Sequence, residues 1–219
     1  MTDDRRTFIR RAFGSAAALA IADSATLNAA TNSADEPWLR AYAGKKHKAI
    51  IDVMEFFPDG TPFRRAKNLL NVLHESYGSA EGDIAIAVGM HGRGLAHAVS
   101  ATVWADLGIA DWLMPQLSTA AASALKASIG SGNEPLMSKV PGESRDSIQE
   151  LRARRVHFLA CRETINRWAQ RKATQSGETV EAVTARIVKG LHEGVEPVPA
   201  MIAASVIAQE VGAQYVAVG

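Results

Sequence analysis

The chain's one thiol is its clearest candidate for chemistry. Cys161 is the only cysteine, and it stands in VHFLACRETINRW, where an apolar run gives way to a polar run with helical spacing. In an open parallel sheet, ligands bind beyond the carboxyl ends of the strands. A cysteine at such an end lies beside free backbone N–H groups and the positive end of the next helix, surroundings that favour an anionic sulfur. Arg162 adds to that field and Glu163 opposes it. The competing reading is a buried cysteine serving as a small apolar side chain. A second set lies in HGRGL, His91 to Leu95, at the end of another apolar run. His91 and Arg93, with exposed N–H groups, can hold an anion there; alternatively Gly92 and Gly94 only permit a tight turn that His91 caps.

Other chemistries find little support. GRG is neither GxGxxG nor GxxxxGK[ST], so no nucleotide loop is predicted, and no GxSxG is present. His91 and His97 fall on different faces of a helix, and no HExxH or CxxC spacing exists, so no metal site and no cofactor are expected. Asp52 and Glu55 read as a solvated loop pair, and Trp104 and Trp112 as packing anchors.

Continuous apolar runs, alternating with helical stripes, must position these residues. Ala49 to Met54 reads as a strand buried on both faces. FPDGTP is a turn, with Thr61 predicted to cap a helix that has Pro62 at its first position. Phe63, Ala66, Leu70, Leu73 and Tyr77 form that helix's apolar stripe. Asp83 to Met90 is a second strand, followed by a helical stretch that includes Ala96 to Trp104. Residues 108–146, rich in Ser, Ala, Gly and Pro, read as an insertion or long loop with at most short helices. A helix from about Arg145 to Arg154 leads into the strand Val156 to Ala160 and then Cys161. Helices from Arg162 to His192 break near Gly177, the second with the stripe Val180, Val183, Ile187 and Leu191. Val195 to Val198 is a short strand, AMIAASVIAQEVGA a helix apolar almost all round, and YVAV a last strand. Five strands in this order predict an α/β fold with a mostly parallel sheet covered on both faces.

The N-terminus predicts export. Arg5 and Arg6 precede Phe8 and Ile9, and a mild apolar run from Ala12 to Ala22 follows. That run is too short for a bilayer, which needs about 20 residues, and with the paired arginines it resembles a twin-arginine signal. Residues 1–29 are therefore expected to be the signal, 30–45 a linker with Trp38, Leu39 and Tyr42 available to pin it, and 46–219 the domain. Cleavage would remove four arginines and three aspartates and leave the charges balanced. Such a chain shows no footprint for nucleic acid and no stable membrane span, and it is expected in a bacterial periplasm. A lone cysteine excludes an intrachain disulfide framework.

Several short stretches, in order, resemble the DsrE/DsrF-like family: the strand ending in Cys161, Gly194-Val195-Glu196-Pro197-Val198-Pro199, Gln209-Glu210-Val211-Gly212, Tyr215 and HGRGL. A periplasmic branch of that family is matched by Ala101-Thr102-Val103-Trp104-Ala105. The pattern departs at Arg93, where the family turn has proline. The resemblance implies a small three-layer α/β/α fold, a homo- or hetero-oligomer, and a cysteine that carries sulfur as a persulfide between a donor and an acceptor. Cys161 would then be the carrier, with His91, Arg93 and Arg162 shaping its pocket. The other expected role is a non-catalytic binding or assembly subunit with a structural cysteine.

Overall fold

Five parallel strands form the framework: β1 (His47–Val53), β2 (Ile84–Met90), β3 (His157–Cys161), β4 (Val195–Val198) and β5 (Gln214–Val218). They lie in the order β4-β3-β2-β1-β5. The computed structural model describes residues 36–113, 115, 117–120, 122, 123 and 147–218. The expected export signal, the start of the linker and most of the 108–146 segment lie outside the described residues.

The helices are α1 (Pro37–Arg40), α2 (Thr61–Asn71), α3 (Ala101–Leu107), α4 (Ile109–Leu113), α5 (Ile148–Ala153), α6 (Arg162–Ser176), α7 (Val180–Lys189) and α8 (Met201–Glu210). From β1 to β4 the chain steps across the sheet in one direction. Right-handed crossovers therefore stack the intervening helices on one face. The return from β4 to β5 runs the opposite way, so the same handedness puts α8 on the other face. The architecture is a three-layer α/β/α sandwich with two unequal cores.

The larger core contains Ile51, Val53, Ile86, Val88, Phe63, Phe158, Trp104 and Ile187. The smaller contains Ile50, Ala87, Leu159, Cys161 and Val198 under Met201, Ala204 and Ala208. Side chains of a strand alternate between faces, which is why Ile50 and Ile51 belong to different cores. Trp38, Leu39 and Tyr42 are buried in the smaller core, and the Tyr42 hydroxyl donates to the Ala49 carbonyl at 2.8 Å. Within the segment read as a linker, the three expected anchors Trp38, Leu39 and Tyr42 are thus core.

Local chemistry accounts for several departures from the sequence reading. Helix α2 starts behind Gly60, which has φ of 67°, and not behind Thr61, which is its first residue; the Asp59 carboxylate accepts from the Thr61 N–H at 3.1 Å and hydroxyl at 2.9 Å. After Asn71 the helix widens into a π turn, Val72–Ser76. The wider turn rotates the stripe, so Tyr77, expected inside, is 74% exposed. The stretch after β2 is not one helix but a 3-10 segment, Gly92–His97, and then α3. Between them Val99 bridges Leu191 antiparallel. Gly177 breaks α6 from α7 with φ of 75°. Helix α8 buries Met201, Ala204, Ser205 and Ala208 but leaves Ile202 and Val206 79% and 50% exposed.

Candidate functional site

Asp52 sits near the end of β1 with Gly89 of β2 opposite it and Ala217 of β5 on its other side. One residue beyond β2 comes His91, beside Cys161 at the end of β3, because Met90 pairs with Ala160. A row of functional groups therefore crosses three adjacent strands at their carboxyl ends. This face is covered there by the start of α8, and between them lies a cavity of about 610 Å³. Asp52, His91, Cys161, Arg167, Met201 and Tyr215 are among its walls. Gly89 leaves room for Met201, since a Cβ there would collide with the end of that side chain.

Backbone bonds fix the turn that carries His91. The His91 N–H donates to the Val53 carbonyl at 3.1 Å, and Gly94 N–H to the Met54 carbonyl at 2.8 Å. Gly92 has φ of 54°, in the left-handed region that favours glycine. Its N–H donates to the Thr164 hydroxyl at 3.1 Å, tying the turn to the first turn of α6. A Cβ at Gly94 would run into the Val53 carbonyl.

At the cavity wall, His91 Nε2 lies 2.9 Å from Asp52 Oδ1. The contact is close in distance but bent relative to a straight hydrogen bond, and both atoms are screened from water. The Tyr215 hydroxyl donates to Asp52 Oδ2 at 2.6 Å. Burial alone would raise the Asp52 carboxyl. The hydrogen bonds of His91 and Tyr215, with the charge of His91, instead hold it below the usual carboxylate range. The same hydrogen bond, with some burial, pushes the Tyr215 phenol up to about 12. The site thus holds a carboxylate anchored between an imidazole and a phenol, next to a thiol that is only 4% exposed.

Of the residues singled out in the sequence, Cys161 and His91 meet in this cavity. Arg93 is not on its walls; its guanidinium pairs with Glu55. Arg162 is also not on them, and its Nε is buried without a hydrogen-bond partner among the described residues. Asp52, read as a solvated loop residue, and Tyr215, noted only as an aromatic match, are the residues sequence reasoning missed. The available signal was a carboxylate inside an apolar strand, on the same parity as the buried Ile50.

Outside the site, His97 is buried between Phe56, stacked at 4.8 Å, and Phe63, edge-on at 5.2 Å. Its Nε2 accepts from the Phe57 N–H at 3.1 Å. Burial pushes it down to about 3, against a smaller pull from Asp59. Trp104 is buried core, donating from its indole to the Ala96 carbonyl at 2.9 Å. Trp112 meets Trp168 edge-on at 4.8 Å. Among the described residues no cluster of three or more His, Cys, Asp or Glu is placed to hold a metal, and no helix is long and apolar enough to cross a membrane. Compared with family models, with curated proteins and with solved structures, the chain gives no match in any of the three.

Proposed function

We propose that this chain is an exported sulfur carrier of the DsrE-like type, with Cys161 as the persulfide site. The observation that carries the proposal is the meeting of Cys161 and His91 on one cavity at the carboxyl edge of the sheet, with the Asp52 carboxylate held against the imidazole. In the step proposed, His91 takes the proton of the Cys161 thiol, and the sulfur attacks the terminal sulfur of a donor persulfide, R–S–SH. The new S–S bond forms as the donor's breaks. The donor leaves as thiolate and takes the proton from His91, so Cys161 ends as a persulfide and the donor as R–SH, with no external oxidant. Transfer to an acceptor thiol is the same reaction in reverse.

Residues 1–29 support export by the twin-arginine route to a periplasm. Self-association is supported by the family resemblance and by the uncovered Ile202 and Val206. The transfer step as proposed assigns no role to Arg93 or Arg162.

A second reading is a binding or assembly subunit with a structural cysteine. Its support is the packing of Cys161 with Leu159, Val198 and Met201 in the smaller core. One experiment separates the two. Native protein and Cys161→Ser are treated with inorganic polysulfide, and the intact masses are read. The carrier gains one sulfur atom at Cys161, and the variant gains none. A native thiol that takes up no sulfur, and resists alkylation until the protein is denatured, sinks the carrier.

A further inference from the structure

Sulfur transfer as proposed employs Cys161 and His91 and gives Asp52 and Tyr215 no part. Their geometry is nonetheless specific. Asp52 Oδ1 and His91 Nε2 stand 2.9 Å apart in a bent contact, both are screened from solvent, and neither makes a well-formed hydrogen bond among the described residues. Water cannot satisfy either atom, so each depends on the other. A carboxylate oxygen that close to a ring nitrogen lone pair would be repelled, so Nε2 carries the hydrogen and Nδ1 keeps the lone pair. The other oxygen of Asp52 receives the Tyr215 hydroxyl from the neighbouring strand at 2.6 Å. A carboxylate held at both oxygens cannot rotate away from the ring.

We infer that Asp52 and Tyr215 are positioning residues: Tyr215 fixes the Asp52 carboxylate, and Asp52 fixes the orientation and tautomer of His91, leaving Nδ1 as its proton acceptor. The chain Tyr215–Asp52–His91 runs across β5, β1 and the end of β2, with Cys161 next in line on β3. The titratable and charged groups sharing the cavity with His91 are Asp52, Cys161, Glu163, Arg167 and Tyr215. Of these, only Asp52 is in ion-pair contact with the ring. Ion pairing of Arg93, on the same turn, is with Glu55. The positioning of the ring stands on geometry alone, whereas its use as a base for the Cys161 proton rests on the carrier proposal above.

The test uses the full chain with nitrogen-15 histidine, the His91 signals being assigned by their loss in His91→Gln. Wild type is expected to show the neutral His91 ring in the Nε2–H tautomer, and Asp52→Asn to lose that preference. Tyr215→Phe removes only a hydroxyl from a half-exposed ring, so it guards against misfolding, and it should weaken the preference while leaving the fold intact. Sulfur uptake at Cys161 from polysulfide should fall about a hundredfold in Asp52→Asn and about tenfold in Tyr215→Phe. A wild-type ring that mixes tautomers as free imidazole does, or one unchanged by Asp52→Asn, overturns the inference. An intact Nε2–H signature in a wild-type protein that takes up no sulfur sinks the carrier proposal alone and upholds the positioning of His91.

Discussion

Acid should destabilise this protein through a residue remote from its candidate site. His97 is 3% exposed, ringed by Phe56 and Phe63, and holds the Phe57 N–H at a nitrogen that must stay unprotonated. Its pKa falls from 6.5 in the open chain to about 3 in the fold. Between those values the unfolded chain binds a proton at His97 and the folded protein does not. The folded state therefore loses stability as pH falls, by about 1.4 kcal/mol per pH unit. Across the whole window the loss is on the order of 4–5 kcal/mol, a large part of the roughly 5–15 kcal/mol that holds a domain folded. Above 6.5 both states are neutral at this position and the dependence vanishes. The comparison is His97→Gln, whose side-chain oxygen can accept from Phe57 without titrating. Urea unfolding of both proteins, followed by tryptophan fluorescence from about pH 7 to about pH 4, gives the two slopes. Asp52 and Asp59, also held low, contribute to both proteins and largely cancel in the difference. Wild type should lose about 1 kcal/mol more than the variant for each unit of acidification. Parallel slopes, or a His97 proton signal titrating near 6.5 in the folded protein, refute the reasoning.

Gly94→Ala, which forces a Cβ into the Val53 carbonyl, should lower stability by about 1–3 kcal/mol, visible as a fall in Tm. Gly89→Ala should leave the fold standing but drive the Met201 side chain into new space, changing the rate at which an alkylating reagent reaches Cys161 in the native protein. Ser147→Ala removes the hydroxyl that accepts from the Glu150 N–H at the start of α5, and should cost about 1 kcal/mol in urea unfolding.

The framework was legible in the sequence because buried parallel strands are continuous apolar runs, and Ile50–Ile51 and Ile84–Val88 have no other use. Gly177 marked a helix end as plainly as any residue can. Tyr77 was misread because helical periodicity assumes a constant turn, whereas the π turn at Val72–Ser76 shifts everything after it. Trp38, Leu39 and Tyr42 were legible as anchors because large apolar side chains in a polar stretch have few other places to go, and all three are buried. The site was half legible. Cys161 and His91 announce themselves by strand ends. Asp52 acquires its meaning only when Tyr215, far along the chain, is brought beside it by the return from β4 to β5. Arg93 illustrates the converse: its partner Glu55 lies on the adjoining loop, and a guanidinium near a carboxylate takes the nearer anion.

The handedness that places α8 across the sheet from the larger core also divides the molecule's tolerance to change. Packing that sustains the fold is concentrated on the crowded face, where Phe63 and Phe158 meet at 5.8 Å. The cavity's outer wall is instead furnished by the outward positions of one ten-residue helix, Ile202, Val206 and Gln209. Those three can vary with little consequence for the packed interior, while the row from Tyr215 to Cys161 beneath them stays fixed. Diversification within such a lineage would therefore alter what enters the cavity long before it altered the groups waiting at its floor.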